Sequence, residues 1–350
     1  MEIALSVMYW PWFEPAEQLD MAVAVDRARF ASVWVAEGYG QDAIALLGWM
    51  AGRTERIGLG AGVLQIPARQ PTTTAMAAAS VDRISGGRFL LGLGLSGPLV
   101  SEGFYGVPFT APLTRTREYI EIVRLALSGA PVGYVGEHWQ LPVRDGAAGA
   151  RALKLLGGPP RPNLPIYLGV GGERTVLQCG ELADGWMPFL FSPRYASMLT
   201  APLLEGIAGA GRSPADVTVA PMVPAALNRD LDGARDALRP VLAMYLGAMG
   251  SRDHNFYVDL AERYGEGTAA RACQAAFLAG DKRAAASALT PTLIDLVAMA
   301  ATPRTLESRL ADYRDAGVDT LVVAPFGDRQ ALLAALSAHL PEASQERRTP

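Results

Sequence analysis

Cysteine is scarce in this chain, with two in 350 residues, Cys179 and Cys273, and no C-x-x-C. That excludes a disulfide scaffold and predicts two reduced, buried thiols. The three histidines, His138, His254 and His339, share no ligand spacing, so no metal site is expected. Basic charge is not in excess either. Lys and Arg number 31 against 35 Asp and Glu, for a net charge of −4. A surface without surplus positive charge lacks the means to bind nucleic acid nonspecifically. No apolar run is long enough to span a bilayer. The N-terminus carries Glu2 where a secretory leader would carry basic residues. These absences predict a soluble cytoplasmic protein with no metal, nucleic-acid or membrane partner. What is present is a large apolar share, 50%, with 19% charged residues, enough for a substantial core.

The chain is organised around residues 89–97, Phe-Leu-Leu-Gly-Leu-Gly-Leu-Ser-Gly, an apolar strand running into glycines and then Pro98. Gly92, Gly94 and Gly97 spell G-x-G-x-x-G, but that fingerprint requires a helix to start at the third glycine. Pro98 and the prolines and glycines that follow give no helical period before about residue 113. The glycines are therefore read as letting something flat approach the strand end closely. Further strands are predicted over 3–8, 32–36, 57–64, 166–170, 185–190, 217–226 and 320–324. Helices are predicted over 15–30, 42–53, 72–84, 113–128, 173–182, 194–210, 231–249, 302–316 and 329–340. A small hairpin over 132–141 and a loop over 142–163 interrupt the rhythm. Residues 251–300 read as helical with no clear strand, and 341–350 as a frayed tail. Eight strand–helix units predict an α/β TIM (β/α)8 barrel in one domain, residues 1–340, with insertions near 129–163 and 250–300. An open doubly wound sheet is the alternative.

Several segments together carry a family likeness: Val-Trp-Val-Ala-Glu-Gly-Tyr at 33–39, Gly-Ala-Gly-Val-Leu-Gln-Ile-Pro-Ala-Arg at 60–69 and Val-Asp-Arg-Ile-Ser-Gly-Gly-Arg-Phe at 81–89. The others are the glycine-rich run itself, Arg-Thr-Arg-Glu-Tyr-Ile-Glu-Ile at 115–122, Pro-Ile-Tyr-Leu-Gly-Val-Gly-Gly-Glu-Arg at 165–174 and Glu-Leu-Ala-Asp-Gly-Trp at 181–186. In order and spacing the chain resembles the luciferase-like monooxygenase superfamily, and within it the coenzyme F420-dependent oxidoreductases. The resemblance implies the same barrel, a deazaflavin cofactor and hydride transfer to or from a small organic substrate. FMN with oxygen, as in a monooxygenase, is the alternative. A non-catalytic flavin-binding protein is the alternative of another class. A homo-oligomer, a dimer, is also expected.

The resemblance places the cofactor ring against Gly62, Val63 and Leu64, where family members often carry a non-prolyl cis peptide. Ser96 and Gly97 would contact the ring or its ribityl chain, with Glu102 nearby. Gly169, Val170, Gly171, Gly172 and Thr175 run from a strand through glycines into a helix whose first turn exposes unpaired N–H groups, a geometry suited to phosphate. Arg174 either adds charge there or faces solvent. Arg115 is implied at the phosphate-bearing chain, with a salt bridge to Glu118 or Glu121 as the competing role, and Arg117 points elsewhere on its helix. Hydride transfer needs a group that gives or takes a proton. Candidates at strand ends are Ser6, Tyr9, Glu37 and Tyr39, with Glu37 foremost because a carboxylate at a barrel mouth is open to desolvation. The His that some deazaflavin enzymes carry near this strand end is absent. Trp10, Trp12 and Phe13 are candidates for a pocket wall or for core. His254, Asn255, Phe256 and Tyr257 are expected over the barrel mouth or in an oligomer contact.

Overall fold

Short apolar strands alternate with helices along the chain. β1 (Glu2–Val7), β2 (Ser32–Val35), β3 (Gly58–Ala61), β4 (Leu64–Gln65) and β5 (Phe89–Gly94) come first. A detached antiparallel hairpin, β6 (Tyr134–Val135) and β7 (Gln140–Leu141), follows. Then come β8 (Ile166–Leu168), β9 (Gly185–Trp186), β10 (Thr218–Val219), β11 (Met222–Leu227), β12 (Met299–Ala301) and β13 (Thr320–Gly327). This computed structural model describes residues 1–8, 12–147, 149–157, 161, 163–250 and 252–340. Tyr9, Trp10 and the tail 341–350 lie outside the described residues.

The main sheet is parallel throughout, in the order β10-β9-β8-β5-β3-β2-β1-β13-β11-β12, with β4 on β5. A lone parallel bridge between Phe189 and Met222 ties the segment after β9 to β11. The sheet therefore curls, and the fold is α/β with helices covering its outside. Buried on both faces, the strands read as near-continuous apolar runs rather than alternating ones. Inside the curl, large side chains fit where a neighbouring strand lacks one. The Trp34 ring lies so close to Gly60 that a Cβ there would sit 2.2 Å from it, and Tyr167 stands likewise 2.1 Å from the place of a Gly185 Cβ. The two rings meet edge-on at 4.9 Å. Gly60 of β3 thus admits the aromatic of the neighbouring β2, and Gly185 of β9 that of β8.

The helices are α1 (Pro15–Arg27), α2 (Ala43–Ala51), α3 (Pro71–Ile84), α4 (Pro98–Gly103), α5 (Pro112–Leu127), α6 (Glu173–Leu182) and α7 (Ala196–Gly209). They continue with α8 (Leu231–Ala248), α9 (Phe256–Arg263), α10 (Gly267–Leu278), α11 (Lys282–Ser287), α12 (Pro291–Val297), α13 (Leu306–Asp315) and α14 (Arg329–Ser337). Two expectations need correction. A helix does start just after Gly97, because Pro98 occupies its first position, where a missing N–H costs nothing. The stretch 251–300 also ends in a strand, β12, whose Met-Ala-Ala lacks the β-branched residues that mark strands and pairs with β11 from Ala225 onward. The hairpin of the first insertion is pinned by Glu118 of α5. Its buried carboxylate accepts the backbone N–H groups of Glu137, His138 and Trp139 at 2.6, 2.9 and 3.2 Å.

Both cysteines are fully buried and unpaired. Burial pushes the Cys273 thiol up to about 12 and the Cys179 thiol higher still. Neither is expected to react with a thiol reagent at pH 8 until the chain is unfolded, when both should react. A count of one or two in the native state would contradict this burial. Among the described residues no helix is long and apolar enough to cross a membrane.

Candidate active site

Between β3 and β4 the chain bulges. Gly60 pairs with Leu90 and Leu64 with Leu93, so four steps run alongside three. The peptide between Gly62 and Val63 is cis. From Leu59 to Ile66 these two residues alone are half-exposed while their neighbours are buried, so the bulge reaches the mouth formed by the strand C-termini. Its other contacts explain the glycine-rich run. A Cβ on Gly94 would lie 2.5 Å from Val63 Cγ2, and on Gly92 or Gly169 about as close, at 3.1 and 3.0 Å from Cγ1. Three glycines on β5 and just after β8 thus form a bed for the Val63 side chain. On the inner side, the position of a Gly62 Cβ is met by Met222 Cε at 3.1 Å, Trp34 Cβ at 3.2 Å and Met187 Sδ at 3.6 Å.

Glu37, two residues beyond β2, clamps this bulge. Arg69 meets its carboxylate with both Nη atoms, at 2.5 and 2.9 Å. The backbone N–H groups of Ala43 and Gln65 donate to it at 3.1 and 3.3 Å, and Gln65 Nε2 donates to the Glu37 carbonyl at 3.2 Å. Arg69 also reaches Asp42, which caps α2. Burial lowers the Arg69 pKa, but hydrogen bonds and charge from Glu37 and Asp42 outweigh this and raise it. With four donors converging on two oxygens, the Glu37 carboxylate is an acceptor fixed in place, a different environment from that of a proton donor. Gln65, which the sequence did not single out, is buried beside the bulge, and its Oε1 has no hydrogen-bond partner among the described residues.

Opposite, the turn after β8 leads into α6. The Val170 carbonyl accepts the indole N–H of Trp186 at 2.9 Å, and Gly172 is the N-cap of the helix. The Thr175 hydroxyl donates to the Gly172 carbonyl at 2.7 Å, so here it holds the turn together. Gly171 lies under the ring of Phe256, whose Cζ is 2.1 Å from the place of a Cβ. The start of α5 abuts α6 where Gln178 Nε2 donates to the Leu113 carbonyl at 2.8 Å. Arg115, one turn into α5, donates Nε–H to the Thr110 carbonyl at 3.0 Å and lies 5.9 Å from the Trp139 ring centre. It has no carboxylate partner among the described residues. Glu118 serves the hairpin, Glu121 accepts from the Tyr134 hydroxyl, and Arg117 pairs with Glu181. Arg174 is exposed.

A family model described as luciferase-like monooxygenase matches residues 4–320. The chain belongs to that family. It is 38% identical, over 92% of its length and 94% of the other's, to a Mycobacterium tuberculosis protein provisionally named a coenzyme F420-dependent oxidoreductase. It is 27% identical, over 93% of its length and 94% of the other's, to the 5,10-methylenetetrahydromethanopterin reductase of Methanopyrus kandleri. The fold matches the structure of the coenzyme F420-dependent tetrahydromethanopterin reductase from Methanopyrus kandleri with a TM-score of 0.83, at 24% identity, over 97% of this chain and 99% of that one.

In this family member the remaining candidates scatter. Ser6 is fully buried below the bulge, its hydroxyl 3.3 Å from Met222 Sδ. Tyr39 is 55% exposed at the rim, against Phe104. Ser96 adopts a left-handed φ of 63°, and no atom lies within 4 Å of a Cβ on Gly97. The Glu102 carboxylate, on α4, accepts the N–H of Phe109 in the loop that follows. Phe13 is core, with Arg329 over its ring at 4.1 Å, and Trp12 packs edge-on to Phe326. Among the described residues no cluster of His, Cys, Asp or Glu is placed to hold a metal.

Proposed function

We propose that this chain is a coenzyme F420-dependent oxidoreductase that moves a hydride to or from a small organic substrate. In this reading the curled sheet is a (β/α)8 barrel within one domain, its ring completed through the Phe189–Met222 pairing. The observation that carries the reading is the half-exposed Gly62–Val63 pair, fixed by the glycine bed on one side and Met187 and Met222 on the other. Such a rigid, flat ledge at the strand ends suits a tricyclic ring. The relatives named for F420 support the choice of cofactor. Bound there, a deazaflavin supplies a carbon that accepts or releases hydride.

The residues present fit that group. Gly62, Val63 and Leu64 form the floor, and Gln65 offers beside it a buried amide oxygen that has no partner among the described residues. Ser96 and Gly97 edge the open side. The turn from Gly171 through the Gly172 N-cap to Thr175 in the first turn of α6, together with Arg115, would hold the phosphate-bearing chain. Arg suits that work because its donors sit in a fixed fork. Glu37 orients Gln65 and keeps the ledge in register, while Ser6 and Tyr9, on and just after β1, are the hydroxyls assigned to proton handling.

The test is a parallel fluorescence titration of the protein with F420 and with FMN. Tighter binding of F420 is expected. Preference for FMN would move the chemistry to oxygen-dependent oxidation, and binding of neither would remove the cofactor reading. Arg115→Ala is expected to weaken F420 about tenfold, the loss of one charge-assisted contact. A deazaflavin stripped of its phosphate-bearing chain should bind both proteins alike. Equal losses for the two ligands would place Arg115 elsewhere.

A further inference from the structure

The mouth beside the Gly62–Val63 ledge is walled by aromatic rings from three separate segments. Phe189 follows β9, Tyr245 lies in α8, and Phe256 and Tyr257 open α9. Phe189 and Tyr245 stand 4.2 Å apart, centre to centre, inclined at 37°. Tyr257 sits edge-on to both, at 6.0 Å from Phe189 and 5.3 Å from Tyr245, and Phe256 meets Tyr257 at 5.3 Å. All four are half-buried, so the cluster keeps accessible ring surface. It stands over the same floor as the ledge. Met187, two residues before Phe189, and Met222, bridged to Phe189, both reach the place of a Gly62 Cβ.

Around Phe189 and Tyr245 the wall also lacks charge. Residues 186–192 and 241–249 contain no Asp, Glu, Lys, Arg or His. At the far end of α9, Arg263 is engaged by Glu173 at 3.2 Å. Arg252, Asp253 and His254, just before α9, are exposed. A phosphate or carboxylate pressed against Phe189 and Tyr245 would lose its hydration without gaining a cation. An uncharged ring would gain edge and face contacts with several aromatics at once.

Resting on the F420 reading above, we infer that Phe189, Tyr245, Phe256 and Tyr257 are the specificity surface of this site and select a neutral, ring-bearing substrate over a sugar phosphate or an acid. Calorimetric titration of the protein, with and without F420, with acetophenone and with glucose 6-phosphate tests this. Acetophenone should bind and glucose 6-phosphate should not. Phe189→Leu, which keeps an apolar side chain but removes the ring, and Tyr245→Ala should each weaken acetophenone about tenfold or more while leaving the affinity for F420 within about twofold. Tighter binding of glucose 6-phosphate, an unchanged acetophenone affinity in Phe189→Leu, or a loss confined to F420 would each overturn the assignment. If F420 fails to bind while acetophenone still depends on Phe189, the cofactor reading falls and the aromatic site stands.

Discussion

Gly92→Ala is expected to cost the fold about 3 kcal/mol or more, while Gly97→Ala, five residues on, should change stability by less than about 0.5 kcal/mol. Both glycines belong to the same G-x-G-x-x-G. The added Cβ at Gly92 would lie 2.0 Å from the Ala61 carbonyl oxygen, a backbone atom of the adjacent strand that cannot turn aside. At Gly97 it would meet nothing within 4 Å, and the φ of −137° suits any residue. Gly94→Ala falls between the two. Its Cβ would meet Val63 Cγ2 at 2.5 Å, so it should loosen the ledge and weaken cofactor binding more than it lowers stability. Urea denaturation of the three variants reads the order directly. If Gly97→Ala were the damaging one, the run would be a ligand-binding loop of the dinucleotide type after all.

That contrast shows what a single sequence can and cannot reveal here. Local signals were legible. The α6 boundaries, the Asp42 cap of α2 and the strand starts follow from patterns of a few residues. The glycines read as a place of close approach, and at Gly92 and Gly94, though not at Gly97, neighbouring protein atoms do approach closely. What approaches was not legible, because Val63 lies 31 residues from Gly94 in the chain, and Gly169 follows yet another strand, β8. Only the pairing of β4 with β5 and β5 with β8 brings them together. Residue resemblance located Gly62–Val63 without supplying this reason. Pro98 misled in the opposite direction, since a proline that breaks a helix interior also begins one well. The sequence puts Phe256 over the mouth or in an oligomer contact, yet nothing local to it indicates that its ring rests on Gly171.

Glu37 is the residue whose meaning changes most with structure, and its substitution is the sharper functional test. From sequence it is a carboxylate at a strand end and a candidate acid or base. In the fold it is 3% exposed at the side chain, gripped by Arg69 and two backbone amides. Glu37→Ala is expected to cost about 3 kcal/mol, because removing one partner of a buried ion pair strands the other. Arg69 retains Asp42, which keeps the loss at the lower end of the range for such pairs. The Gln65 backbone N–H would lose its acceptor, so the ledge should slacken and the affinity for F420 fall with stability. Glu37→Gln separates the two roles. As a clamp, the amide keeps part of the hydrogen bonding, stability drops by less than for Ala, and the pH profile of turnover keeps its shape. As a proton donor, the same variant would leave stability and F420 affinity near those of the parent, abolish turnover and erase one limb of the profile. A double-variant cycle with Arg69→Ala completes the argument. Strong coupling between the two positions in both unfolding free energy and F420 affinity is expected of a clamp, and additivity would mean that Glu37 acts alone.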